Sequence, residues 1–449
     1  MNESAIDLSI GALRSAYASG ALRPSDVMAS ALQRLARPDQ EAVWISTVDP
    51  DRAMAAAQAL DARVGEIEAL PLFGTVFSVK DNIDVAGFET TAACPAFAYR
   101  PDRSATVIAR AEAAGALCLG KTNLDQFATG LVGLRSPHGA PRNPHNARYI
   151  PGGSSSGAAV SVATGAVSFA FGTDTGGSGR VPASYNGIVG LKPAPGDWSR
   201  SGLVYACRSF DTATVFARNL DDALAVDAVV RGADETDAFS RAIIRAPAAS
   251  PRVAIVPPDR AETFGDTVVQ ALYAAAHARA TRVFPTLTPA DIEPFLAINE
   301  LMFFGPFLSE RDVSVGAFID AHSEACHPVV RDLIVKSRRF SAADAYRAAY
   351  AVEEARRATA GFFEAHDVLV TPTVGALATL AMCEADPLGP NFRNGYYTNF
   401  ANPLGLAALS IPAGRAPDGV PWGITLYALP ERAATLARAA AVFMEGAQA

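Results

Sequence analysis

From residue 72 onward the chain alternates short strand-like runs with helix-like ones, and this alternation restricts the fold more than any other feature. Residues 72–79 are rich in apolar, β-branched and aromatic side chains and have the length of a strand. Residues 106–114 carry helical spacing, 116–119 are a short apolar strand, and 123–129 read as helix. A glycine/serine loop at 152–157 leads into a helix over 158–164, a buried strand over 167–171 and a second glycine-rich loop at 172–180. Strands and helices in alternation bury their apolar faces as a mixed sheet covered by helices, so an α/β fold is expected.

The flanks extend this core. Residues 5–68 read as helices: one opened at Asp7-Leu8, one capped at Arg23-Pro24-Ser25-Asp26, and an alanine-rich one starting at Asp49-Pro50-Asp51. Residues 246–251 form a loop, 252–256 a strand, and 265–363 are mostly helical, with Ser341 and Asp344 as a capping box. Strands return at 367–370, 409–411 and 423–427, and an amphipathic helix over 432–444 follows. The expected organisation is one domain over 1–449. It comprises N-terminal helices (1–68), a catalytic core (69–245), a mostly helical region lining the pocket (246–365) and a return to the core sheet (366–449).

Composition excludes several functions. The formal net charge of −8 argues against nucleic acid as a partner, which needs a basic face. No run of about 18 apolar residues is present, so no membrane helix is expected. The opening Met1, Asn2, Glu3 and Ser4 lack the basic start of a signal peptide, and a cytoplasmic location is the expectation. Cys94, Cys118, Cys207, Cys326 and Cys383 show no metal-ligand spacing. His322 and His327 flank Cys326 without a second ligand pair, so no metal site is expected. The stretch from Gly115 through Lys121-Thr122 matches the phosphate-loop expression, but its middle residues Ala116, Leu117, Cys118 and Leu119 are apolar and strand-forming. A phosphate loop needs a turn whose N–H groups face the ligand, so Lys121 is expected instead to cap the strand or pair with a neighbour.

The chemistry resides in the two loops, Gly152-Gly153-Ser154-Ser155-Ser156-Gly157 and Gly172-Thr173-Asp174-Thr175-Gly176-Gly177-Ser178-Gly179-Arg180. Either one alone reads as a turn. Together they offer what acyl transfer requires, a hydroxyl beside donors for a developing oxyanion. A nucleophilic serine needs a base, and neither loop contains a histidine. Lys80 follows an apolar strand, where desolvation would favour the neutral amine. On these residues alone, a solvated lysine beside Asp81 fits at least as well.

Taken in order, Val79-Lys80-Asp81-Asn82, Gly120-Lys121-Thr122-Asn123, Gly152-Gly153-Ser154-Ser155, residues 172–182 and Gly187-Ile188-Val189-Gly190-Leu191-Lys192-Pro193 resemble the amidase-signature family. The spacing between Ser154 and Ser178 matches as well. The resemblance implies that family's fold: a central mixed β-sheet flanked by helices, with a helical substrate-binding excursion. It also implies a Ser–cisSer–Lys triad. Neutral Lys80 takes a proton from Ser154, which follows a cis peptide from Gly153; Ser154 takes one from Ser178; and Ser178 attacks the amide carbonyl. N–H groups of Thr175, Gly176, Gly177 and Ser178 would hold the oxyanion. Ser155 would support the loop or Lys80, while Asp174 and Arg180 would order the nucleophile loop. No metal or organic cofactor is implied, and a homodimer is.

Within the family, residues 84–97, Asn123 with the Leu-Asp-Gln-Phe-Ala-Thr-Gly130 run after it, the triple serine and Ala206-Cys207-Arg208-Ser209 resemble the allophanate hydrolases of urea degradation. That resemblance implies a small, anionic amide substrate, cleaved at a C–N bond through a seryl acyl-enzyme. An arginine, a tyrosine and a glycine hold the substrate there. Arg311 and Gly130 match the first and last, and Phe303 stands where the tyrosine is expected. By its neighbours alone, Arg311 between Glu310 and Asp312 reads nearly as well as a surface ion pair. The phenylalanine keeps another ureido or carboxylated amide open. The alternatives are a general amidase and one subunit of a glutamine amidotransferase. Allophanate hydrolases often carry a further C-terminal domain, which this chain, ending at Ala449, is expected to lack or to have been separated from.

Overall fold

The computed structural model describes residues 6–446, leaving out the side chain of Phe303; residues 1–4, read above for a targeting signal, lie outside the described residues. In chain order the strands are β1 (Trp44–Thr47), β2 (Val76–Lys80), β3 (Leu117–Thr122), β4 (Phe169–Asp174), β5 (Val189–Lys192), β6 (Thr212–Ala217), β7 (Val253–Ile255), β8 (Thr288–Pro289), β9 (Val368–Pro372), β10 (Ala407–Arg415) and β11 (Pro421–Ala428). They form one sheet in the order β1-β3-β2-β4-β6-β5-β10-β11-β9-β7-β8. β2 runs parallel to β3 and β4, and β7 runs parallel to β8 and β9. Between these blocks the pairings are antiparallel. The sheet is therefore mixed, and the late strand β10 rejoins it against β5.

β2 and β4 are buried along their whole length. Strands covered on both faces need nearly continuous apolar sequence, which Val76-Phe-Ser-Val and Phe169-Ala-Phe supply. Phe77 stacks on Phe169 across this pair, with centroids 5.3 Å apart. The helix Ser156–Ala163, built from small residues, is buried beside them.

Several boundaries differ from expectation. The N-terminal region is not all helix, because the four-residue strand β1 pairs through Trp44, Ser46 and Thr47 with the end of β3; so short a strand leaves no periodicity to read. Its first helix starts at Ile10 rather than Asp7. β2 starts at Val76, since residues 72–75 turn through Gly74 at φ 66°. The stretch 123–129 holds only a single 3₁₀ turn, Gln126–Ala128. Phe127 and Ala128 sit at φ 50° and 53°, outside the helical region, and the N–H of Phe127 goes to the Ala92 carbonyl at 3.0 Å. β3 reaches Thr122, so the rejected phosphate-loop match is mostly strand. β4 reaches Asp174, which shortens the second loop to start at Thr175.

The helical region holds the helices Thr267–Val283, Ser309–Ala321, Pro328–Ser337 and Ala342–Ala365, the last opened by the expected Ser341/Asp344 capping box. It meets the core through a separate apolar cluster that joins Ala92, Cys94 and Phe127 to Val315, Ile319, Cys326 and Val330. Among the described residues, no helix is long and apolar enough to cross a membrane.

Candidate active site

Lys80 is the last residue of β2, and Thr173 lies near the end of the parallel strand β4. Residues beyond the carboxyl ends of adjacent parallel strands share one side of the sheet, where ligands bind in such folds. Lys80 is fully buried, and its Nζ lies 2.7 Å from Ser154 Oγ and 2.7 Å from Thr173 Oγ1. Ser154 Oγ lies 2.9 Å from Ser178 Oγ. The three residues therefore form an unbroken line of contacts, and the Gly153-Ser154 peptide is cis. Burial is the main influence on Lys80 and pushes its ammonium down to about 7; Asp125, Asp211 and Asp174 pull the other way. Asp81 is not its partner. That carboxylate lies 2.9 Å from Lys121 Nζ, which settles the role of Lys121 as a buried ion pair.

The first loop is held by Asp125. Its carboxylate accepts from the N–H groups of Gly133 (3.0 Å) and Arg135 (2.9 Å), while its own N–H donates to the Ser154 carbonyl at 3.1 Å. A Cβ at Gly153 would sit 2.1 Å from Asp125 Oδ2, so only glycine allows this approach. Ser155 donates to the Thr173 carbonyl at 3.1 Å. It thus ties the first loop to β4, and the second partner of Lys80 is the Thr173 hydroxyl.

Asp174 and Arg180 form a buried pair at 2.8 Å around the second loop. Burial opposes ionisation of both, yet the pairing outweighs it: the Asp174 carboxyl is held below its usual range and the Arg180 guanidinium above its own. Asp174 also accepts from the N–H groups of Gly177 (3.0 Å) and Gly179 (2.9 Å). This corrects one expectation. The Gly177 N–H is committed to Asp174, which removes it from the donors expected for an oxyanion. Among the described residues, no acceptor engages the N–H groups of Thr175, Gly176 or Ser178. Ser178 itself is 3% exposed.

Arg311 is 1% exposed, on the helix Ser309–Ala321. Its Nε donates to Thr129 Oγ1 at 3.2 Å, which brings it beside Gly130. Arg311 is therefore buried rather than at the surface, while Asp312 pairs with Arg338 (2.9 Å) and Glu310 accepts from the Ser209 N–H (2.8 Å). Burial lowers the Arg311 guanidinium below its usual value, opposed by Cys207, Asp211 and Glu310. The side chain of Phe303 lies outside the described residues.

Sequence reasoning missed several contributors. Thr173 and Asp125 stood within the quoted segments but carried no separate signal. Asp211, whose carboxylate takes the Thr175 hydroxyl, Thr398, which holds the Gly176 carbonyl, and Asn402, which holds the Asp174 carbonyl at the end of β4, lie far away in sequence. Nothing local marks them.

Two buried glycine-rich loops, the second held by an ion pair, bring two serine hydroxyls into line with a buried amine. The model of the Amidase family matches residues 26–436, and the chain belongs to that family. The chain is 39% identical over 388 residues to urea amidolyase of Saccharomyces cerevisiae, covering 85% of this chain and 21% of that protein. It thus spans about a fifth of the length of that relative. It is 32% identical over 474 residues to a glutamyl-tRNA(Gln) amidotransferase subunit of Gloeobacter violaceus, covering 98% and 96% of the two chains. Among solved structures, it is similar to Kluyveromyces lactis allophanate hydrolase, with a TM-score of 0.92 and 34% identity over 99% of this chain and 73% of that one.

Proposed function

We propose that the chain hydrolyses the C–N bond of a small anionic ureido or carboxylated amide, allophanate foremost, through an acyl-enzyme on Ser178. The observation that carries this reading is the line of contacts from Lys80 through Ser154 to Ser178, 2.7 Å and 2.9 Å long. A lysine at about 7 is substantially neutral near physiological pH. Hydroxyls both donate and accept, so neutral Lys80 takes the Ser154 proton while Ser154 takes that of Ser178. Ser178 Oγ then bonds to the carbonyl carbon, and the carbonyl oxygen becomes an oxyanion facing the N–H groups of Thr175, Gly176 and Ser178. As the intermediate collapses, the C–N bond breaks and the relay returns its proton to the leaving amine, releasing ammonia. Water repeats the sequence on the ester, freeing the carboxylated product and restoring Ser178.

Arg311 and Gly130 are assigned to the substrate's carboxylate, which a guanidinium grips through paired N–H donors. Both the allophanate hydrolase likeness over 99% of the chain and the buried cation favour an anionic substrate over a neutral amide. The same reading takes residues 69–245 as the catalytic core and 246–365 as the pocket-lining region, with a cytoplasmic location and a homodimer. The second reading, a glutamine amidotransferase subunit, has in its favour the end-to-end match to such a protein.

The test is ammonia release by the purified chain from allophanate, biuret, malonamate and neutral amides, with glutamine alongside. Saturation by allophanate, with little turnover of neutral amides, is the expected result. Ser178→Ala should lose activity by on the order of 10⁴–10⁶-fold with the fold intact. Turnover surviving that change would remove Ser178 as nucleophile, and glutamine hydrolysis dependent on a second protein would favour the amidotransferase.

A further inference from the structure

Thr175 opens the nucleophile loop, and the protein grips it from two sides. A trans peptide unit is planar, so its carbonyl and its N–H point in opposite directions. The Asp174 carbonyl accepts from Asn402 Nδ2 at 2.8 Å, which turns the Thr175 N–H to the opposite side. The same rule accounts for the rest of the loop. The Gly176 carbonyl accepts from Thr398 Oγ1 at 2.6 Å, and the N–H of that unit, from Gly177, is turned onto Asp174. The Gly177 carbonyl accepts from the N–H groups of Arg180 and Val181, at 2.8 Å each, which turns the Ser178 N–H away from the helix Val181–Asn186.

Asn402 does more than hold one carbonyl. Its second N–H goes to the Phe210 carbonyl at 2.9 Å. The next residue, Asp211, accepts the Thr175 hydroxyl and also the N–H groups of Ala206 (2.7 Å) and Cys207 (3.0 Å). Asn402 Oδ1 lies 3.4 Å from Arg180 Nη2, so its amide has one sensible orientation, oxygen toward the cation and nitrogen toward the two carbonyls. Asn402 is fully buried and reaches across more than 200 residues of chain.

We infer that Asn402 is a positioning residue that aims the Thr175 N–H at the oxyanion, by joining the first peptide of the nucleophile loop to the turn whose Asp211 holds the Thr175 hydroxyl. The inference rests on the proposed amide hydrolysis. It makes Thr175 a donor set by tertiary contacts, whereas the Ser178 donor is set by the helix that follows it. An oxyanion forms only as the reaction proceeds, so loss of aim should appear in kcat and leave KM nearly unchanged.

The experiment compares wild type, Asn402→Ala and Thr175→Val, using the kcat and KM of the best substrate from the panel. It adds the affinity of a small boronic acid, whose tetrahedral adduct on Ser178 imitates the oxyanion. Asn402→Ala should lower kcat by about 10–100-fold with KM within about threefold, and boronate affinity should fall in parallel. Thr175→Val keeps the N–H but releases the Asp211 contact, and should show the same pattern at about 3–10-fold. Thermal unfolding accompanies both. Should Asn402→Ala fail to fold, Thr175→Val decides. A lower melting temperature with unchanged kcat and boronate affinity would overturn the inference, as would a rise in KM alone. Failure of the functional reading looks different: wild type itself would neither hydrolyse the panel nor bind the boronate.

Discussion

Lys80 and Lys192 are both fully buried, and burial pushes both ammonium groups down to about 7. For Lys192 the neighbouring Arg180 adds to the burial effect, while Asp174 and Asp197 oppose it. Their partners separate them. Lys192 donates to two carbonyls, of Pro193 at 2.9 Å and Leu406 at 2.6 Å. A carbonyl has no proton to give, so Lys192 can only tie β5 to the segment entering β10. Lys80 faces two hydroxyls, and a neutral amine can accept from a hydroxyl. The comparison teaches that a displaced lysine pKa does not by itself identify a base. In the proposed reaction the base is Lys80, the amine whose neighbours carry a proton to give and a route to Ser178.

The largest expected effect separates the two directly. Lys80→Met should lower kcat/KM by on the order of 10²–10⁴-fold, whereas Lys192→Met should leave the pH midpoint of the rate where it is. In wild type that midpoint should lie near 7, set by Lys80. The neutral amine is the active form, so the rate should rise with pH and fall about tenfold per pH unit on the acid side. A rate midpoint that moved in Lys192→Met and stayed in a conservative Lys80 variant would reverse the assignment.

A second change would make Lys80 resemble Lys121, whose ammonium already has Asp81 at 2.9 Å. Thr173→Asp places a carboxylate beside Lys80 and favours the charged amine. The rate midpoint should climb by about 1–3 pH units, with activity at neutral pH falling accordingly. An unchanged pH profile would show that the titrating group is elsewhere.

Stability should report on both lysines where rate reports on one. In the unfolded chain each regains an ordinary value near 10.4, so between about 7 and 10 the unfolded state binds more protons than the folded state. Stability contributed through these groups therefore rises with pH over that window. Lys192→Met should flatten the rise relative to wild type while costing about 1–3 kcal/mol for the carbonyls left without a donor, read by chemical denaturation at several pH values. The smallest effect is expected of Ser155→Ala, which removes one bond between the first loop and β4, at about 1 kcal/mol, with the rate midpoint unmoved.

Much of the fold was readable because burial on both faces leaves continuous apolar runs. β2 and β4 are marked that way, and the two glycine-rich loops stand out beside them. β1 escaped notice because four residues against one neighbouring strand carry too little pattern. The turn at 126–128 reads as helix because its composition suits one, but its Gln126 and Phe127 N–H groups go to the carbonyls of Arg135 and Ala92 instead of to a helical ladder. At the site, Lys80, Ser154 and Ser178 lie in recognisable segments. That the Gly177 N–H turns onto Asp174, away from the role expected of it, follows from the direction of one N–H, which composition does not encode.

The amino-acid order alone determined that an apolar strand ends in a lysine and that two flexible, hydroxyl-bearing loops flank a second such strand. Those are local matters of side-chain size, polarity and backbone freedom. The tertiary structure decided which buried lysine touches hydroxyls, which carboxylate pairs with which cation, and where the peptide N–H groups of the second loop point. Desolvation and hydrogen-bond direction depend on groups brought together across hundreds of residues, so they exist only once the sheet has closed around them.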